Sequence, residues 1–267
     1  MQIDQGIAMG QGLEQAPILI CLFGGFRLLK DGQSVAVRGG GKTEALLYNL
    51  ALRHGHPIPR DTLLCLLWPD VDVGLAGQAL HSLVHSLHKQ LGRAIQGAAP
   101  VVFQDGRYQL NTTAGVQTDL TQFESLASAG DRNVRAGDWS AATACYGVAV
   151  NLYCGDLDGA ADIYAVVQRE RLRAMYLQML ARLADHHYTL EDYAACLHFA
   201  IALLECDPCR EDAHRLAMRC YVRRGERAQA FRQFRLCEQA LRSEFDAVPE
   251  TATSELFDQL RLYPSSL

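Results

Sequence analysis

No apolar run in this chain approaches the length that crossing a bilayer requires, so a membrane-spanning helix is not expected. The first sixteen residues hold Asp4 and Glu14 and no basic segment, so a secretion signal is not expected, and residues 1–17 read as a flexible leader. There is no nucleophile elbow, no zincin histidine pair and no dinucleotide fingerprint, so neither an enzyme nor a bound cofactor is expected. An overall excess of positive charge is also missing: 25 Lys and Arg face 30 Asp and Glu. The nine cysteines are odd in number and mostly fall on the apolar phase of expected helices. Reduced, buried thiols in a cytoplasm account for them better than a disulfide framework.

What is present fits one or two soluble domains, with 49% hydrophobic and 21% charged residues. Charge is uneven along the chain. Residues 18–110 hold nine Lys or Arg against six Asp or Glu, while residues 111–267 hold sixteen against twenty-two. A mildly basic first half before an acidic second half points to a polyanion facing the first half alone.

The most informative stretch runs from Arg60 to Gly92. Pro69 cannot continue a helix begun at Arg60, because it lacks an N–H and crowds the preceding turn, and a second helix follows from Gly74 to Leu91. Ala76, Leu80, Leu83, Val84, Leu87 and Leu91 share one face of it, and Gln78, His81, Ser82, His85, Ser86 and Lys89 share the other. A short helix with hydrogen-bonding side chains outward fits a major groove, and an ordinary packed helix with a solvated face fits the same pattern.

Around this pair, Ile18–Phe23, Phe26–Leu29 and Ser34–Val37 read as short antiparallel strands, with a turn at Asp31-Gly32. Lys42–Arg53 reads as a helix closed by His54-Gly55, and Val101–Leu110 as a hairpin turning at Asp105-Gly106. Strands, three helices and a hairpin, in that order, make a winged helix-turn-helix, an α+β domain over residues 18–112. From Asp119 onward only helices are expected. Gly137-Asp138-Trp139, Asp192-Tyr193 and Glu226-Arg227 each open an amphipathic helix, Ala195 and Ala230 lie close to a tetratricopeptide period apart, and Arg169–Leu183 forms a long helix with a Leu, Met and Tyr core stripe. Residues 113–267 therefore read as an all-α, tetratricopeptide-like domain.

Three motifs look chemical and are better read as structural. Gly39-Gly40-Gly41-Lys42-Thr43 has Ala36 where a phosphate-binding loop needs its first glycine, leaving a glycine-rich loop whose helix start offers at most a backbone anion site. His81, His85 and His88 place two imidazoles at metal-binding spacing with no third ligand in view. Cys206-Asp207-Pro208-Cys209, with His214 and Cys220 beyond, lacks the spacing of a second zinc ligand pair. Glu191-Asp192 and Glu211-Asp212 stand where helices begin, and capping accounts for them.

The chain resembles the SARP family of bacterial antibiotic-regulatory activators. The resembling stretches in the first half are Phe23-Gly24-Gly25-Phe26, Lys42–Leu47, Leu66–Asp70 and Tyr108-Gln109-Leu110. In the second they are Thr118-Asp119 with Phe123, Tyr153–Leu157, Arg169–Leu172, Asp207-Pro208 with His214-Arg215-Leu216, Gly225–Ala230, and Leu241–Phe245 with Pro249-Glu250-Thr251. The resemblance implies a homodimer on direct repeats in double-stranded promoter DNA, with RNA polymerase recruited through a sigma factor. It also marks a departure: where family members commonly carry several arginines along the third helix, this chain has His81, His85, His88 and Lys89. Histidine offers one donor and one acceptor in place of a charged fork, so DNA binding is expected to be weaker, more pH-sensitive or lost altogether. The expected contacts are Gln78, His81, Ser82, His85 and Ser86 on bases or phosphates, with Lys42, Arg60, Lys89, Arg93 and Arg107 on phosphates. The rival reading is a non-enzymatic signalling adaptor whose winged helix binds protein or a small ligand.

Overall fold

The computed structural model describes residues 16–37, 41–54, 56–158 and 162–262. Residues 1–15 of the expected leader, the glycine loop at 38–40, and Gly55 lie outside them. No helix among the described residues is long and apolar enough to cross a membrane.

The chain forms two compact units, and neither is continuous in sequence: residues up to Ser128 join Asn151–Leu172, and Ala129–Val150 joins Arg173–Leu267. In the first unit, β1 (Ile18–Cys21), β2 (Arg27–Lys30) and β3 (Gln33–Ser34) are antiparallel. The turn at Asp31-Gly32, with both φ angles positive, is of the kind a tight hairpin needs. The helices α1 (Gly41–Leu52), α2 (Arg60–Leu67) and α3 (Val73–Leu91) come next. The strand β4 (Ile58–Pro59) precedes α2, and β5 (Val101–Gln104) and β6 (Arg107–Leu110) form the expected hairpin.

Two short strands were not legible in the sequence. One is β4, which pairs antiparallel with β6 and makes the hairpin three-stranded. The other is β7 (Val116–Thr118), which runs parallel to β1 and closes the first sheet in the order β3-β2-β1-β7. Two or three residues are too few for alternation to show.

The first unit's core is made by the apolar faces of its helices, and of the face expected on α3, Leu83 and Val84 are only half-buried. Leu46, Leu47 and Leu50 of α1, Leu63, Leu64 and Leu67 of α2, and Ala76, Leu80, Leu87 and Leu91 of α3 are all buried. Against them lie Val101, Tyr108 and Leu110 of the hairpin, with α1 touching β6 and α3 touching β5.

The same unit draws in later residues. Phe23 is fully buried, with its ring 5.1 Å from Phe123 and 4.7 Å from Tyr153, and it bridges to Leu157. Gly24, at φ +67°, donates to Gly155 O at 3.2 Å, and a Cβ there would stand 2.9 Å from the Cys154 carbonyl oxygen. The resembling stretches Phe23–Phe26 and Tyr153–Leu157 are therefore packing partners.

The helices α4 (Asp119–Arg135), α5 (Trp139–Leu152) and α6 (Ile163–Thr189) follow β7. Asp119 is buried at 3% exposure and accepts from Leu22 N at 2.8 Å and Phe23 N at 3.0 Å, which locks the end of β1 to the start of α4. Burial pushes its carboxyl up to about 6, against the pull of those N–H groups. At the end of α1, Arg53 pairs with Asp162 and lies 4.3 Å from the Tyr164 ring, while His54 meets Glu124 at 2.9 Å and Arg171 also pairs with Glu124.

In the second unit α7 (Tyr193–Cys206), α8 (Glu211–Arg223) and α9 (Arg227–Phe245) pack as successive hairpins, and α10 (Thr251–Leu262) lies against α8 and α9. Cys196, Ala200, Ala217 and Cys220 form one buried cluster, and Met218, Ala230, Phe234, Leu256 and Leu260 the next. Asp192 caps α7 through Ala195 N, as expected. Capping does not explain Glu211-Asp212: Glu211 accepts from Glu250 N at 2.9 Å, and Asp212 pairs with Arg210. His214 is buried with both ring nitrogens engaged, one at 2.9 Å from Pro208 O and the other at 2.7 Å from Gln233 Nε2.

Candidate nucleic-acid interface

The turn between α2 and α3 is set by Pro69, after which Asp72 starts α3 by accepting from Gly74 N at 2.9 Å and Leu75 N at 3.2 Å. That cap fixes where the helix begins, and so which residues its first turns present. Gln78, His81, Ser82, His85 and Lys89 are exposed and Ser86 is half-buried. Ser82 Oγ donates to Gln78 O at 3.0 Å, so its lone pairs are what it offers outward. His88 is turned aside: its Nε2 lies 3.0 Å from Gly97 O and fastens the last turn of α3 to the loop before β5.

Arg60 stands where three elements meet. Its backbone N–H donates to Gly106 O at 2.9 Å, tying the start of α2 to the turn of the hairpin. Its guanidinium lies over Gly77 of α3, where a Cβ would stand 3.2 Å from Cζ, and comes within 3.5 Å of Asp61 Oδ1. Arg107 is exposed on β6 next to that turn, with Nη1 3.5 Å from Pro57 O. Arg93 is exposed in a 3-10 turn, Gly92–Ile95, directly after α3.

Lys42 is exposed and has a partner within its own unit. Its ammonium donates to Leu67 O, the last carbonyl of α2, and lies 6.0 Å from the Trp68 ring. It satisfies a helix C-terminus, a site that favours a cation.

The sequence reading missed four exposed apolar side chains at this face. Val71, Val73 and Leu75 at the entry to α3 are 44%, 61% and 63% exposed, and Phe103 on the hairpin is 54% exposed beside Tyr108. Leu75 precedes Gln78 by three residues and Ser82 by seven, so helical spacing alone places it on the outward line.

The fold is that of a winged helix-turn-helix followed by tetratricopeptide-like helices. It is similar to EmbR of Mycobacterium tuberculosis, solved in complex with a low-affinity phosphopeptide, with a TM-score of 0.74 at 21% identity. That likeness covers 92% of this chain, and the chain spans 65% of the length of EmbR. No curated protein matches the chain. Residues 118–261, more than half of the sequence, match the bacterial transcriptional activator domain, and the chain therefore belongs to that family.

Proposed function

We propose that the protein is a sequence-specific, DNA-binding activator of the bacterial cytoplasm, which binds direct repeats in promoter DNA as a homodimer and recruits RNA polymerase through a sigma factor. In this reading residues 18–112 do the binding and residues 113–267 support dimerisation and activation. The observation that carries it is the outer side of α3: a row of exposed hydrogen-bonding side chains from Gln78 to Lys89, beside a hairpin whose turn is tied to Arg60. Arg60, Lys89, Arg93 and Arg107 would meet phosphates, while Gln78, His81, Ser82, His85 and Ser86 meet base edges or phosphates. Lys42, exposed at the start of α1 and bonded to Leu67 O, would add a further phosphate contact. A gel shift on direct repeats upstream of neighbouring genes tests the reading, with retarded bands that weaken as salt rises as the expected result. No binding to any duplex at low salt and mildly acid pH overturns it.

A signalling adaptor is the second reading, favoured by a third helix without arginine and by the exposed apolar side chains of Val73 and Leu75. It predicts that alanine at His81, His85 and Lys89 leaves promoter output intact and breaks a protein complex.

A further inference from the structure

The outward line of α3 is short on charge in a way that bears on which bases it can read. Leu75, Gln78, Ser82, His85 and Lys89 follow one another at spacings of three and four and are all exposed, while the opposite line, Ala76, Leu80, Leu87 and Leu91, is buried. The first two turns, which enter a major groove first, carry Val73, Leu75 and Gln78 and no cation of their own. Lys89 follows Leu75 by fourteen residues, about 21 Å along the axis, and cannot address the same base step.

Each base pair shows its own pattern in the major groove. Guanine is read chiefly by arginine or lysine, adenine by a bidentate amide, and thymine by apolar contact with its methyl group. Among its own residues the entry to α3 holds the second and third kinds of reader and lacks the first, and the neighbouring guanidinium of Arg60 lies over Gly77 and within 3.5 Å of Asp61 Oδ1. Leu75 keeps 63% of its surface in water in the unbound chain, an arrangement that gains when a methyl group covers it.

Building on the DNA-binding reading, we propose that α3 selects an A·T-containing step, with Leu75 packed on a thymine methyl and Gln78 bonded to the N6 and N7 edge of a neighbouring adenine. The half-site is then specified at this end by a methyl contact and one amide, and the cations around it supply affinity without sequence preference.

The experiment begins with selection of bound duplexes from a random pool by the wild-type chain. In the selected duplex, thymines are replaced singly by deoxyuridine, which lacks the methyl, and adenines by 7-deazaadenine, which lacks N7, and affinities are read by fluorescence anisotropy. One deoxyuridine is expected to weaken wild-type binding about fourfold, the worth of one buried methyl. Leu75→Ala is expected to bind the thymine and deoxyuridine duplexes equally, and Gln78→Ala to lose its discrimination against 7-deazaadenine. Both side chains are exposed, so unchanged urea midpoints certify the folds. Selection of a motif with no methyl dependence at any thymine, or a G·C motif under α3, overturns this proposal and leaves DNA binding standing. Recovery of no DNA at all overturns both.

Discussion

Replacing Gly130 with alanine sets two effects against each other, and the packing decides between them. In an open helix Gly→Ala stabilises by about 1 kcal/mol, because the backbone has less freedom to lose. Gly130 lies in α4, where a Cβ would meet the Tyr146 ring at Cδ1 (2.6 Å) and Cζ (2.8 Å), and Cε1 closer still. That ring cannot step aside: Tyr146 has no exposed surface, and its hydroxyl donates to Asp131 at 2.6 Å and is bonded by Arg182. Overpacking of this kind costs about 1–3 kcal/mol and sometimes more. Part of the Asp131–Tyr146–Arg182 network would be lost with it, so Gly130→Ala is expected to destabilise the second unit by about 2 kcal/mol after the helix gain is subtracted. Gly77→Ala is the matched control. Its Cβ would also land on a neighbour, but that neighbour is the far end of the half-exposed Arg60 side chain, which can swing away. The same chemical change there is expected to stabilise by up to about 1 kcal/mol. The chain has two tryptophans, so urea unfolding of Gly130→Ala in a Trp68→Phe background leaves Trp139 as the reporter, and Trp68 in a Trp139→Phe background reports Gly77→Ala. A midpoint for Gly130→Ala equal to or above that of its parent refutes the reasoning.

Gly24→Ala is expected to destabilise the first unit by about 2 kcal/mol or more, since it imposes both a left-handed φ and a close approach to backbone at Cys154; a thermal midpoint within a degree of wild type counts against it. Because burial raises the Asp119 carboxyl from its ordinary 3.8 to about 6, the folded chain binds this proton more tightly than the unfolded chain does. Its contribution to stability is therefore fully present only well below pH 3.8 and is lost as pH rises through about 6, a swing of about 3 kcal/mol. The stability difference between wild type and Asp119→Asn should change by most of that amount, about 2.4 kcal/mol, between pH 4 and pH 7, and parallel pH profiles refute the assignment. Lys89→Ala is expected to lower the slope of log affinity against log salt by about 0.9 if that ammonium meets a phosphate, and an unchanged slope removes it from the interface.

The helix-turn-helix pair was legible because each of its signals is local. Pro69 breaks the first helix, Asp105-Gly106 turns the hairpin, and the buried residues of α3 recur at helical spacing. Less legible were features that join residues far apart in the chain. The strand β7 pairs with β1 almost a hundred residues earlier, and the Asp119 carboxylate finds the N–H groups of Leu22 and Phe23. Thr118-Asp119 at a helix start reads as a cap, and nothing local shows that the carboxylate faces a strand instead. Of the candidate contacts, exposure on α3 followed from periodicity. The engagement of Lys42 with Leu67 O did not, because the acceptor is a backbone carbonyl that one-dimensional spacing cannot position.

The first unit takes in Phe123, Tyr153 and Leu157, which close over Phe23. A chain severed after residue 112 would keep the three helices and the hairpin but lose both β7, the strand beside β1, and the lid over the Phe23 ring. Shuffling this reader onto another effector at that seam, by recombination or by a protein engineer, would yield a half whose hydrophobic floor is open to water. The cut that preserves it must carry residues 113–128 and 151–172 along.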